Sequence, residues 1–398
     1  MVNPVARPSW RWVILVTGTA AQASTCSFIY GIPMLVPALR GSWHLSLLSA
    51  SLVVSAPIVG LLLTLILWGA AADRWGERVV MSIGLALAAG FLLLTTVVSG
   101  PVGLCILLAL AGAAGASINV ASGRMVIGWF SVRERGLAMG TRQTAQPLGV
   151  AIAAVGLPPL AHHSSVHIAL LLPFLLCAVS AVAVRGLTVD PPRSPRVPGA
   201  ISPYRVGHRL WRVHAASAML VVPQFAVASF TLVYLVGERH WDPLTAGRLI
   251  FVFQFVGALG RIGAGVWTDR VGSRLRPMRQ LGVASAGLMI ALAIGAWTGG
   301  WWIVVAFGVA AVVTVADNGM AYTAVAELAG SSWSGRALGI QNTGQNLASV
   351  FTAPVLAAVI GGGGYGLAFL VAAVCPLIAV PLTPVRGERM HQEMAARH

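Results

Sequence analysis

The sequence contains no lysine. Its 26 basic residues are all arginine, and only 11 residues are acidic. Charged residues make up 9% of the 398, whereas a water-soluble domain carries roughly a quarter. So little charge cannot keep a soluble fold of this length hydrated, which excludes an ordinary soluble enzyme or binding domain. Cysteine is scarce as well. Cys26, Cys105, Cys177 and Cys375 are far apart and lie in apolar stretches. That spacing excludes a disulfide framework and a zinc cluster, so the four read as small buried hydrophobes. No nucleotide loop and no metal-ligand cluster occurs, and no cofactor is expected. The net charge of +15 does not point to nucleic acid, because the arginines come in short bursts between apolar runs.

What is present is hydrophobicity, 57% of the chain. Twelve apolar runs cover residues 12–39, 47–70, 79–98, 102–130, 137–160, 167–185, 211–236, 245–268, 280–298, 301–328, 338–360 and 367–384. A bilayer crossing needs about 20 such residues. The expected class is an all-α polytopic membrane protein of about twelve transmembrane helices, with the lipid bilayer as its first partner. The arginine-flanked first run and its Ala21-Gln22-Ala23 resemble a signal peptide, but the run continues through FIYGIPMLVPAL without a polar break and is read as a span. A Pro- and Arg-rich stretch after the sixth run divides the chain into a first bundle (1–186), a linker (187–209) and a second bundle (210–398).

Arg7, Arg11, Arg74, Arg78, Arg133, Arg135, Arg185, Arg193, Arg196, Arg205, Arg209, Arg212, Arg270, Arg274, Arg276, Arg279, Arg336, Arg386, Arg389 and Arg397 fall on one side of these spans. Only Arg40 and Arg239 fall on the other. The crowded side is therefore expected to be cytoplasmic, with both termini, in the plasma (inner) membrane. A monomer is expected.

The two halves repeat at an offset close to 200 residues. GAAADRWGER from Gly69 matches GVWTDRVGSR from Gly265. GTRQTAQPL from Gly140 matches GIQNTGQNL from Gly339. Gln22, Ser27 and Phe28 match Gln224, Ser229 and Phe230. Two parallel six-helix repeats around a central cavity are a transporter architecture.

The pattern G-x-x-x-D-R-x-G-x-R between spans two and three resembles the signature loop of the major facilitator superfamily. It is complete in both halves: Gly69, Asp73, Arg74, Gly76 and Arg78, then Gly265, Asp269, Arg270, Gly272 and Arg274. With the span count, the linker and the repeat, the resemblance covers the whole chain. It implies a secondary transporter working by alternating access, not an enzyme, and a motif that latches the outward-facing state. The residue types fit that task. The first glycine admits a neighbouring helix, the aspartate can accept from the amides at a helix start, the arginines stay at the headgroup level, and the second glycine permits a tight turn. For Arg74 and Arg78, a role as topology markers alone is the competing reading.

Ionisable residues inside spans are costly, so each is a candidate for function. They are Arg124, Arg142, Arg248, Arg261, Asp317 and Glu327. Arg248 and Glu327 lie near span ends, where they can snorkel. Arg261 lies about 12 Å from its helix end, at 1.5 Å per residue. Its R-x-x-x-G-x-x-x-D setting with Gly265 and Asp269 is similar to span eight of monocarboxylate and oxalate-type transporters. That resemblance implies a bidentate grip on a substrate carboxylate. The alternative is an ion pair with Asp317. Arg124 and Arg142, each about 9 Å inside, either add positive charge to the cavity or snorkel. Asp317 either carries a proton during transport or serves as a fixed counter-ion. Tyr30, Gln143, Gln224, Asn318 and Asn342, with Gln22, Tyr234 and Gln345, either line the cavity or bond helix to helix.

Two functions follow: a carrier for a small organic anion, with the proton as coupling ion, or a drug or metabolite exporter. Span five has AQPLG at Ala145–Gly149, without the Gly-Pro pair usual in such exporters. A transporter-like sensor is a third, distant reading.

Overall fold

The computed structural model describes residues 9–192, 202–330, 332–386 and 388, apart from the side chains of residues 47, 48 and 243. Residues 193–201 of the expected linker, and Arg7, Arg193, Arg196, Arg389 and Arg397, lie outside the described residues. Every regular element among the described residues is a helix. Apolar surroundings dictate this, since a chain crossing lipid must satisfy its backbone polar groups internally.

Eleven of the described helical stretches are long and apolar enough to cross a membrane. In chain order, span one is Trp10–Ile29, span two Leu47–Trp75, span three Glu77–Leu94 and span four Pro101–Trp129. Span five is two helices, Arg135–Gln143 and Ala145–His163. Span six is Leu171–Leu187, span seven Arg209–Gly237, span eight Pro243–Val271, span nine Leu275–Thr298 and span ten Ile303–Ala329. Spans eleven and twelve form one helical stretch, Ser334–Leu382, broken by Gly364 at φ 76° and ψ 178°. The twelfth expected span is thus present behind that break. The other three glycines of the GGGG run stay helical. Span five breaks at Thr144, where Pro147 lacks the N–H that would bond Gln143.

The packing is that of a protein solvated by lipid. On span two, Leu52, Val59, Leu63 and Leu67 recur at helical spacing and are exposed. Many buried side chains are small or polar, such as Ser117, Asn119 and Ser122 on span four. Small and polar residues let membrane helices approach and bond to one another.

The chain divides into two compact units. The first comprises Met1–Phe130, Arg142–Val197 and Gly330–Thr343; the second comprises Ser131–Thr141, Pro198–Ala329 and Gly344–His398. Each unit therefore holds one short helix start from the other half of the sequence. In the first unit span four packs on spans one, two and three; in the second, span ten packs on spans seven, eight and nine. The two sets of contacts correspond through the sequence repeat.

Candidate functional site

The repeated motif builds the same device in both units. In the first, the Asp73 carboxylate accepts from the backbone N–H groups of Gly335 at 2.9 Å and Arg336 at 3.1 Å. These amides open the helix Ser334–Leu382. In the second unit, Asp269 accepts from the N–H groups of Gly136 at 2.9 Å and Leu137 at 2.8 Å, in the first turn of Arg135–Gln143. An anion at a helix N-terminus satisfies orphan donors and the helix dipole together. Close approach makes the contact possible. A Cβ on Gly69 would run into the backbone of Gly335, and one on Gly265 into the backbone of Gly136. The second glycines carry the positive φ of the turn, 102° at Gly76 and 65° at Gly272.

The cations differ between the units. Arg274 Nη1 bonds Asp269 at 2.6 Å, and its Nε lies 3.7 Å from Glu327, which also pairs with Arg135 at 3.2 Å. In the first unit the equivalent Arg78 turns away, and its Nε donates to the Arg185 carbonyl at 3.0 Å. Arg124 takes its place. Its Nη1 pairs with Asp73, and its Nε lies 2.6 Å from Glu77. The structure thus engages Arg124 with Asp73 and Glu77, at the motif. Its depth along span four suggested the cavity; Asp73 at the end of span two and Glu77 at the start of span three, on either side of the Gly76 turn, present two carboxylates to it. Arg74 and Arg270 are exposed.

Two more acids complete the helix starts. Asp190, after span six, accepts from the N–H of Arg78 at 2.7 Å. Glu388, after span twelve, accepts from the N–H groups of Arg274 at 2.5 Å and Leu275 at 3.2 Å. Each acid caps the helix that follows a motif.

Deeper in the first unit lies a polar cluster. Arg142 is 1% exposed. Its Nε donates to Ser122 Oγ at 2.9 Å, Nη1 to Gln143 Oε1 at 3.0 Å and Nη2 to the Asn119 carbonyl at 2.5 Å. Gln22 donates to Asn119 Oδ1 at 3.2 Å. Beside Arg142 is a small cavity lined by Thr19 and Ser122 and by apolar groups including Ile14, Met125 and Phe130.

The second unit repeats the amide pairing. Asn318 donates to Gln224 at 2.9 Å, and Gln345 donates to Asn318 at 3.1 Å and to Ser217 at 2.7 Å. Next to Asn318, Asp317 is 2% exposed. One of its carboxylate oxygens has no hydrogen-bond partner among the described residues. The charge of Arg261, also buried, acts on it. Asn342 turns its amide back to the Leu338 carbonyl of its own helix at 2.8 Å. Tyr30 caps the end of span one and is half-buried. Arg248 is exposed.

Sequence reasoning missed Asn119, Ser122, Ser217, Glu77, Asp190 and Glu388. The repeat offset that relates Gly140 to Gly339 also relates Asn119 to Asn318, and an offset one residue shorter relates Asp190 to Glu388, so the signal was available.

Comparison with known proteins identifies the architecture. The family profile of the Major Facilitator Superfamily matches residues 16–353. An uncharacterized MFS-type transporter of Mycobacterium tuberculosis is 42% identical over 381 residues, covering 94% of this chain and 85% of that one. Among solved structures, the Escherichia coli fucose:proton symporter FucP aligns with a TM-score of 0.74 at 15% identity, covering 94% of this chain and 97% of that one. The human organic anion transporter MFSD10 aligns with a TM-score of 0.64 at 17% identity, covering 96% and 100%. At those identities the two structures bear on the fold alone. With the duplicated motif and the paired helix starts, these matches show that the chain belongs to the major facilitator superfamily and is a multi-pass membrane transporter.

Proposed function

We propose that this transporter carries a small organic anion coupled to a proton. It works in the plasma membrane with its arginine-rich face and both termini in the cytoplasm. The observation that supports an anionic cargo is Arg142. It is a buried guanidinium at the edge of a cavity that also offers the Thr19 and Ser122 hydroxyls. Ser122, Gln143 and the Asn119 carbonyl orient the guanidinium and carry no charge themselves. An arginine so held suits a planar carboxylate, and the apolar wall suits a short hydrocarbon body.

Asp317 supports the proton. A buried carboxyl with an unpartnered oxygen and an arginine nearby is poised to exist in two charge states. Arg261 is its counter-charge in this reading. The motif aspartates act as latches on the two exchanged helix starts, and release of those starts accompanies opening to the cytoplasm.

Uptake of labelled monocarboxylates and dicarboxylates into proteoliposomes, with and without an inward proton gradient, tests the assignment. Parent uptake should be gradient-driven. Arg142→Lys should lose on the order of 10- to 150-fold in apparent affinity, the range for losing a hydrogen bond to a charged group. Uptake of no carboxylate, with counterflow of neutral or cationic compounds instead, would replace this reading with an exporter's.

A further inference from the structure

Every histidine of the first unit lies at one end. His44, His162, His163 and His167 all belong to connections between spans, at the end remote from the motif. The acids of the unit, Asp73, Glu77 and Asp190, all lie at the motif end. The connections of the remote end, residues 30–46, 95–101 and 161–170, contain no acid, and Arg40 is their one permanent cation. The corresponding connection of the second unit mixes signs, with Glu238 and Asp242 beside Arg239 and His240.

His167 brings these connections together. Its Nδ1–H donates to the Thr95 carbonyl at 2.6 Å, and its ring meets Trp43 edge-on with centroids 5.6 Å apart. Arg40 is one helical turn before Trp43 and donates to the Leu45 carbonyl at 3.4 Å, which sets it beside His44. His162 and His163 precede His167 by five and four residues, so each is within about 18 Å of it along the chain. Their rings meet edge-on at 5.1 Å, at the C-terminus of helix Ala145–His163, where the dipole favours a cation. Arg40, His44, His162 and His163 are exposed, and His167 is half-buried.

No opposite charge is near them among the described residues. The turns Ile32–Leu35 and Thr95–Val97 carry no charge, and helices Val36–Trp43 and Val166–Ala169 carry only Arg40 and His167. The spans that reach this end hold their charges far along them. The nearest is Arg185 on span six, about 21 Å from Leu171 at 1.5 Å per residue. Exposed charges act over only about 8–10 Å in physiological salt. The remaining titratable groups near this end, Tyr30, Cys26, Cys105 and Cys177, are phenols and thiols, a class that is uncharged in acid.

We propose that this end of the first unit is a collecting surface for the anionic cargo, switched on by acid. Arg40 is its constant charge, and His44, His162 and His163 add theirs as the medium acidifies. This rests on the cargo being an anion and on this end facing outward. Histidine suits an outward end. Permanent cations are kept to the cytoplasmic side by the positive-inside rule, whereas histidine as a class gains its charge between about pH 8 and pH 5. The side chains are spread and solvated, so they attract a small carboxylate without holding it. Such steering acts on encounter and fades in salt. Acid that drives uptake thereby also gathers the cargo at its entrance.

The test uses the full-length chain in neutral detergent at low salt. Its four cysteines are replaced by alanine, and Ser164→Cys is the reporter, because Ser164 is exposed beside His163. Its rates with an anionic and a cationic methanethiosulfonate of like size are measured from pH 8 to pH 5. Their ratio cancels the ionisation of the thiol itself. Three added unit charges at about 10 Å in water change an encounter roughly 2- to 8-fold, the lower figure with screening. The anionic-to-cationic ratio squares that factor, so it should rise about 4- to 60-fold as the pH falls. His44→Gln with His162→Gln and His163→Gln should flatten the rise, and Arg40→Gln should lower the ratio at every pH. A flat ratio in the reporter background, or a rise that survives in the triple variant, would overturn the surface. Uptake of a labelled monocarboxylate into proteoliposomes of neutral lipid is measured in parallel, under one pH step set at two external pH values. The triple variant should lose about 2- to 8-fold in apparent affinity at external pH 5, and less at pH 8 or in high salt. Equal affinities for parent and triple variant throughout would show that the surface does not serve the cargo, and the proposal falls. If the parent takes up no carboxylate while the reagent ratio still follows pH, the cargo reading fails and the anion-collecting surface stands.

Discussion

Arg78 and Arg274 occupy equivalent places in the two copies of the motif, yet only Arg274 bonds the aspartate of its own copy. In the first unit that work falls to Arg124, one helix away. The duplicated sequence has kept the aspartate and its two amides and changed the source of the cation.

The exchange predicts opposite rankings in the two halves. Arg124→Ala would remove the nearest cation from the buried Asp73 and Glu77, leaving Arg336 3.9 Å from Asp73, at a cost of up to about 3–5 kcal/mol. Arg78→Ala would lose a bond to a carbonyl, about 1 kcal/mol. In the second half Arg274→Ala should be the severe change. Thermal melts of purified protein, monitored by aggregation or intrinsic fluorescence, check the order. Equal losses for Arg124→Ala and Arg78→Ala would contradict it.

Asp73→Asn keeps an acceptor at the helix start and removes the charge. The loss should be about 0.3–2 kcal/mol of docking free energy. Labelling of a Ser334→Cys reporter should rise roughly 2- to 30-fold accordingly. Unchanged labelling together with unchanged transport would rule out a latch at this position.

Gly265→Ala tests close approach without touching a charge. Its methyl would meet the Gly136 backbone, so the segment must shift even though Asp269 is intact. Faster maleimide labelling of Ala138→Cys, with little change in melting temperature, is the expected result. Gly263→Ala, whose Cβ would meet open space, is the matched control.

The two acid caps should act alike. Asp190→Asn and Glu388→Gln should each weaken the first turn of the following helix, by about 0.5–2 kcal/mol, as other N-terminal caps do. Hydrogen exchange of the peptides that begin spans three and nine would report this. Acceleration confined to span three in Asp190→Asn and to span nine in Glu388→Gln is expected.

Asp242 provides a pH-dependent case away from the bilayer core. The Thr245 N–H and hydroxyl both donate to its carboxylate, at 2.9 and 3.0 Å, and hold its pKa below the ordinary value of 3.8. A lowered folded value means that the cap is fully formed above about pH 3.8 and is lost as pH falls through that lower value. Exchange of the Thr245 amide should therefore be protected at neutral pH and lose that extra protection in acid. Asp242→Asn should show no such step.

Much of this was legible in the sequence for a physical reason. A span declares itself by length and hydropathy, and a repeated motif declares itself twice. The motif glycines and aspartates could be assigned tasks before any contact was seen, because close approach and an anion at a helix start are local demands. Side-chain pairing was not legible. Nothing near Arg124 in the sequence indicates that Asp73, 51 residues away, will claim it. Gln22 bonds Asn119 across 97 residues. In such cases only the repeat offers help, since Asn119 and Asn318 share an offset with residues already recognised. The break of span five at Thr144 was written in Pro147, but prolines elsewhere in these spans, such as Pro57, remain inside their helices.

The exchanged helix starts carry a consequence for how the polypeptide matures. Residues 131–141 complete the unit that is otherwise built from the later half, and residues 330–343 complete the one built from the earlier half. Neither half, synthesised alone, contains every residue of a compact unit. While the ribosome is still making the second half, Asp73 has no amides to accept from, and an apolar surface destined for Gly335 and Gly339 stays open. Folding of the first six spans must therefore remain provisional until the eleventh emerges. Two separately translated halves, cut at the linker, would each offer the other its missing piece.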